Sequence, residues 1–147
     1  MEQPFVFSSF RTGACFLRML SLLMKTVLGI GLDPTLIDFS KPGYPPGMST
    51  EKVLAGIKAS EEELRGLGYS LEACFTDFGE TAEAVVRNHL NTKHFDCVMI
   101  GAGVRANPQN LLLFEKIINV VHEHAPQARI CFNEEPKDIA NAVKRWI

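Results

Sequence analysis

Gly101-Ala-Gly103-Val-Arg105-Ala106 follows the apolar run Cys97-Val-Met-Ile100 and satisfies the string G-x-G-x-x-A. Glycines after a buried strand let backbone N–H groups approach an anion closely, and Arg105 adds a full positive charge. The chemistry within reach is recognition of a phosphate or carboxylate. A dinucleotide fingerprint, however, opens its helix inside the glycine turn and sets an acid about 20 residues further on for a ribose. Here Asn107-Pro108 reads as an N-cap followed by proline at the first helical position, several residues later. Glu123 falls inside the next helix, and Glu134, which ends the next strand, comes too late. A dinucleotide site is therefore disfavoured. Two readings stay open: an anionic or polar ligand held by this turn, with Arg105 and Asn107, or a tight turn carrying a solvated arginine.

Gly29-Ile-Gly31-Leu-Asp33-Pro34 begins as a second glycine turn, with Asp33 as a polar or proton-transfer partner. Pro34 stands where a third glycine would be, and no helix starts there. The connection from Leu32 to Ser49 holds Pro34, Pro42, Gly43, Tyr44, Pro45, Pro46 and Gly47. Loops beyond roughly 12–15 residues without structure of their own are uncommon in compact domains, so a lid over the site is the preferred reading. Asp77-Phe-Gly-Glu80 ends another strand; Asp77 with Glu80 three residues later suits a helix cap, and Asp77 also projects at the same sheet edge as Asp33. Asn133-Glu134-Glu135-Pro136 either serves helix-end electrostatics or adds Asn133 and Glu134 to the same edge. Asp33, Asp77 and Glu134 have the oxygen chemistry magnesium wants, but no spacing brings them together, and no metal site is expected. His122 and His124 point to different helix faces, and no G-x-S-x-G elbow or helix-start cysteine supports covalent catalysis. No cofactor and no reaction are fixed.

The elements that must position these residues alternate four times from Lys25 onward, the pattern of βα units and a parallel sheet. Strands are expected at Thr26–Ile30, Ser70–Thr76, Asp96–Ile100 and Arg129–Asn133. The first helix, about Thr50 to Leu67, carries Val53, Leu54, Ile57, Leu64 and Leu67 on its inner face. The second runs from Glu80 to about His89, and the third, about Pro108 to His124, has an apolar face wider than one sheet contact needs. Part of that face is available to a second subunit, which makes a homodimer through helix 108–124 an expectation. The last helix sets Ile139, Val143, Trp146 and Ile147 at helical spacing. Right-handed crossovers make order 2-1-3-4 the simplest topology. It places the switch point between strands one and three, with the loops from Gly29 and Gly101 facing each other across a crevice.

The chain has 147 residues, enough for one core, and 15 basic against 17 acidic residues give a net charge of -2. Binding to nucleic acid or an anionic membrane usually needs a basic excess, so neither partner is expected. Cys15, Cys74, Cys97 and Cys131 form no C-x-x-C pair and read as reduced thiols of a cytoplasmic protein. Residues 1–24 differ from the domain at 25–147: no acid stands between Glu2 and Asp33, and apolar residues alternate with Arg11 and Arg18. They read as a mis-assigned start before Met24, a mitochondrial presequence or a structural helix. The run is too short and too interrupted for the roughly 20 residues of a bilayer span.

The Gly-Leu-Asp-Pro and Ile-Gly-Ala-Gly-Val-Arg turns resemble those of a group of small bacterial and fungal α/β proteins, a resemblance that brings no activity with it. In outline the chain also resembles flavodoxin-like and receiver domains, which implies a single three-layer, Rossmann-like domain with a four-stranded parallel sheet. A receiver accepts phosphate on an aspartate at the end of strand three, where this chain has Gly101, and it has a fifth strand with a lysine, which this chain lacks. A flavodoxin-type site wants hydroxyls after strand one, which Gly-Ile-Gly-Leu-Asp-Pro does not supply. Two functions follow as expectations. One is binding of an anionic small molecule by Gly29, Gly31, Asp33, Asp77, Gly101, Gly103, Arg105, Asn107, Asn133 and Glu134. The other is a non-catalytic, receiver-like interaction or regulatory module lacking the phospho-accepting aspartate.

Overall fold

The computed structural model describes Met19 and residues 23–147. The expectations for residues 1–24 therefore lie almost wholly outside the described residues. Four strands, β1 (Lys25–Leu32), β2 (Tyr69–Thr76), β3 (Cys97–Ile100) and β4 (Arg129–Phe132), form one parallel sheet in the order β2-β1-β3-β4. From Lys25 onward the helices are α1 (Thr50–Gly66), α2 (Ala82–Thr92), α3 (Ala102–Arg105), α4 (Leu111–His124) and α5 (Ile139–Lys144), with 3-10 turns at Pro34–Leu36, Pro108–Asn110 and Pro136–Asp138. The architecture is a three-layer α/β fold with the expected strand order.

Period-two alternation along β1 decides which side chain meets which helix layer. Leu28, Ile30 and Leu32 join Val86, Leu90, Leu113, Ile117 and Val121, so α2 and α4 cover one face. Val27 joins Leu64, Cys97, Cys131, Ala140 and Val143, so α1 and α5 cover the other. All of β3 is buried, as a central strand with neighbours on both sides requires. Burying one such leucine or isoleucine contributes about 1.5–3 kcal/mol, so these two clusters hold the sheet between its helices.

Several boundaries differ from the sequence reading for local reasons. Helix α2 starts at Ala82, not Glu80, because the Asp77-to-Thr81 turn closes first on the Asp77 carboxylate. Leu54 and Leu67 are exposed, so the buried stripe of α1 is narrower than its apolar residues suggest. Helix α5 stops at Lys144, where the chain tightens into a turn through Trp146 N–H to the Val143 carbonyl (3.0 Å), and Trp146 is left exposed. Strand β4 ends at Phe132, which frees Asn133 to bond across the sheet edge. The sequence reading treated the cysteines as unrelated, yet the Cys97 and Cys131 sulfurs lie 3.5 Å apart between β3 and β4. Their mutual hydrogen bond, together with burial, pushes the Cys97 thiol up.

Candidate functional site

At the carboxyl edge of the sheet, the turn after β3 packs directly on the end of β1. Gly101 N–H donates to the Ile30 carbonyl at 2.8 Å. A Cβ on Gly101 would sit 3.3 Å from that oxygen and 3.7 Å from Gly31 Cα, so a side chain here would crowd the β1 backbone. Gly101 (φ −67°) has an ordinary backbone conformation, and no positive φ is found at Gly103. Contrary to the expectation that the helix is delayed, one helical turn, α3, opens inside the glycine string. It gives way to the 3-10 turn at Pro108–Asn110, which Asn107 Oδ1 caps through the Gln109 N–H at 3.0 Å.

Asn133 organises this edge. It is buried, its Oδ1 accepts from the Ala102 N–H at 2.9 Å, and its Nδ2 donates to the Glu135 carbonyl at 2.8 Å. Arg105 donates to the Asn133 carbonyl at 3.1 Å and lies 5.8 Å from the Phe132 ring centroid. Arg105 itself is exposed, and a guanidinium has five N–H donors, so further donors remain beyond this bond. Asn110 Nδ2, also buried, donates to the Gly103 carbonyl at 3.0 Å. Gly101, Ala102, Gly103 and Arg105 are thus tied to β1, to Asn133 and to the start of α4 rather than fanned around a vacant hollow.

The remaining expected residues are placed as follows. Gly29 lies inside β1, not in a loop, with its Cβ position 3.1 Å from Leu71 Cδ1; Gly31 is also within the strand. Asp33 Oδ1 accepts from the Thr35 hydroxyl at 2.7 Å and the Thr35 amide at 2.9 Å, contacts that hold its carboxyl below the ordinary range. The connection after it is not structureless, because Asp33 caps the turn at Pro34–Leu36 and Ile37 packs on the α2/α4 face. Asp77 accepts from the amides of Gly79 (3.0 Å), Thr81 (2.9 Å) and Ala82 (3.2 Å) and from the Thr81 hydroxyl (2.8 Å). The Gly79 amide above all holds its carboxyl below the ordinary range. Glu134 is exposed. Among the described residues, no group of three His, Cys, Asp or Glu side chains is placed to hold a metal ion.

What the sequence reading missed is a groove of about 630 Å³ at the same edge but on the α2/α4 side. It is lined by Leu36, Asp77–Glu80, Gln109, Leu112, Leu113 and Lys116. Leu36, Phe78 and Leu112 around it are 52%, 50% and 64% exposed. Of the expected site residues only Asp77 lines it. The Asp77 hydrogen bonds fold the Phe78-Gly79 turn, with Gly79 at φ 125°, and so present Phe78 outward. Lys116 Nζ lies 3.4 Å from Glu83 at the far wall. The sequence signal is the apolar face of helix 108–124 as a whole, wider than one sheet contact needs, which the spacing assigns to a second subunit without singling out Leu112. Leu36 and Phe78 gave none, since a leucine or phenylalanine beside a turn reads equally as core.

Among the described residues, no helix is long and apolar enough to cross a membrane. Compared with protein-family models, curated proteins and solved structures, the chain has no significant match.

Proposed function

We propose that this protein binds a small molecule at the carboxyl edge of its sheet, with the apolar body of the ligand in the groove between the Asp77–Glu80 turn and the start of α4. The carrying observation is the coincidence of a roughly 630 Å³ groove with three half-exposed apolar side chains, Leu36, Phe78 and Leu112. Ligand sites are commonly apolar hollows of about 300–1,000 Å³ with a few polar groups, set at this edge of a parallel sheet. The polar groups here are Gln109, Glu80 and Lys116; Asp77 is engaged by its own turn. An anionic group on the ligand would meet Lys116 inside the groove or Arg105 on the neighbouring loop. Side-chain cations are the better candidates for it, because the Gly101 and Ala102 amides already have acceptors.

The second reading, a non-catalytic module that docks a partner, draws on the exposure of Leu111 together with Leu112 at the start of α4. The two readings differ in what they bind. A thermal-shift screen of nucleotides, sugar phosphates and aliphatic and aromatic carboxylic acids separates them. A ligand at 100 times its Kd adds about 2.7 kcal/mol, which raises Tm by roughly 5–10 °C in a chain of this size. Leu112→Glu, an exposed position, should abolish the rise without lowering the Tm of the free protein. No rise with any class counts against the small-molecule reading and leaves the patch to a protein partner.

A further inference from the structure

We infer that the outer edge of β2 pairs with the same strand of a second copy of this chain, antiparallel about a twofold axis at Ala73. Among the described residues β2 is bonded on one side only, to β1, over all eight of its residues. Asp33 N–H donates to the Thr76 carbonyl at 2.9 Å, so Thr76 turns its backbone toward β1. Strand alternation then directs Glu72 and Cys74 to β1 and the amides and carbonyls of Leu71, Ala73 and Phe75 outward. Among the described residues none of those outward groups has a hydrogen-bond partner. Ala73 is exposed and Phe75 is 38% exposed.

Monomeric proteins guard such edges with charged side chains, lysine above all, or with proline, bulges or short strands; the one charge on β2, Glu72, is taken up by His89 at 2.7 Å and Lys93 at 3.0 Å. Tyr-Ser-Leu-Glu-Ala-Cys-Phe-Thr contains no lysine or proline, pairs with β1 in unbroken register, and is twice the four-residue length of the opposite edge strand β4. The pattern is also self-complementary. With the axis at Ala73, Leu71 faces the partner's Phe75, Ser70 faces the partner's Thr76, and Glu72 faces the partner's Cys74. Sliding the axis by one residue sets the two Glu72 carboxylates directly opposite, which like-charge repulsion disfavours. An apolar cross-strand pair on one face and a hydroxyl pair on the other fit a second copy better than an unrelated extended peptide.

Sedimentation velocity on the full chain tests this. The expected species has twice the 16.3 kDa of one chain. Ala73→Pro removes an outward N–H while leaving the bonds to β1 intact, a position where an edge strand tolerates proline, and should return the protein to a monomer with an unchanged circular dichroism spectrum. Phe75→Lys should do the same by charge, and decides the matter if the proline variant fails to fold. Leu112→Glu should leave the dimer intact. A wild-type monomer at high micromolar concentration overturns the inference, as does a dimer that survives both edge variants or one that only Leu112→Glu dissolves.

Discussion

At the scale of single residues, the polar side chains at the carboxyl edge mostly build the edge itself. Asn133 joins α3 to the Glu135 turn, Asp33 and Asp77 close their own turns, and Asn107 caps a 3-10 turn. Residue type made the roles of Asp77 and Asn107 legible as caps, whereas Asp33 read as a polar or proton-transfer partner and instead closes its own turn. The cross-sheet reach of Asn133 was not legible, because the sequence reading runs strand four through Asn133, whereas β4 ends at Phe132 and leaves Asn133 to bond the Ala102 amide. Elsewhere one carboxylate tunes stability. Glu72 on β2 lies 2.7 Å from His89 and 3.0 Å from Lys93. Partial burial works to raise its carboxyl, but the hydrogen bonds from His89 and Lys93 outweigh that and hold it below the ordinary value of 4.5. A group whose folded value is depressed stabilises the protein above its ordinary value, and that stabilisation is lost as pH falls through the folded value. Wild type should therefore lose more stability than Glu72→Gln on going below about pH 4.5. At pH 7 the variant should be weaker by only about 0–1 kcal/mol, since the pair is a third exposed and screened. Urea midpoints of both proteins across the acid range check this; parallel acid limbs would show that the pair has no such role.

At the scale of elements, alternation of short apolar runs with helical stripes carried the topology, because a buried strand and an amphipathic helix have different periods. Helix ends were less legible: the Asp77 turn delays α2, and α5 closes early into a turn at Trp146. The brief α3 was missed because Asn107-Pro108 is a strong start signal that hides a weaker one before it. How α1 docks was also hidden in the sequence. Gly56 faces the Pro136–Asp138 turn, where an added Cβ would lie 2.9 Å from Pro136 Cβ, 3.3 Å from its carbonyl carbon and 3.2 Å from the Lys137 nitrogen. Two of these are backbone atoms and cannot step aside. Ser60 Oγ reinforces the same contact by donating to the Pro136 carbonyl at 3.0 Å. Alanine at position 56 improves helix propensity by about 1 kcal/mol, but the overlap should outweigh it and leave Gly56→Ala destabilised by about 1–3 kcal/mol. Chemical denaturation measures the balance; an unchanged or stabilised variant would mean that α1 does not seat on this turn.

At the scale of the molecule, the fold offers two surfaces that its own described residues leave open: the groove at the carboxyl edge and the outer side of β2. They adjoin, since Asp77 follows directly on β2, and the variants that tell them apart are Leu112→Glu for the groove and Phe75→Lys for the strand edge. The carboxyl edge of the sheet was legible from the strand order; the hollow along it was not. Its shape depends on Leu36, Phe78 and Leu112 staying outside the core, a matter of packing volume on the α2/α4 face that no spacing in the chain records. The near-neutral charge is in keeping with a small ligand rather than a polyanion. The most direct test is an amide-shift map of the protein titrated with the carboxylic acid that gives the largest thermal shift. Perturbations centred on Leu36, Phe78–Glu80 and Gln109–Lys116, absent in Leu112→Glu, are the expected result. Shifts confined to Gly101–Asn107 and Asn133, or scattered with no cluster at the groove, would contradict it.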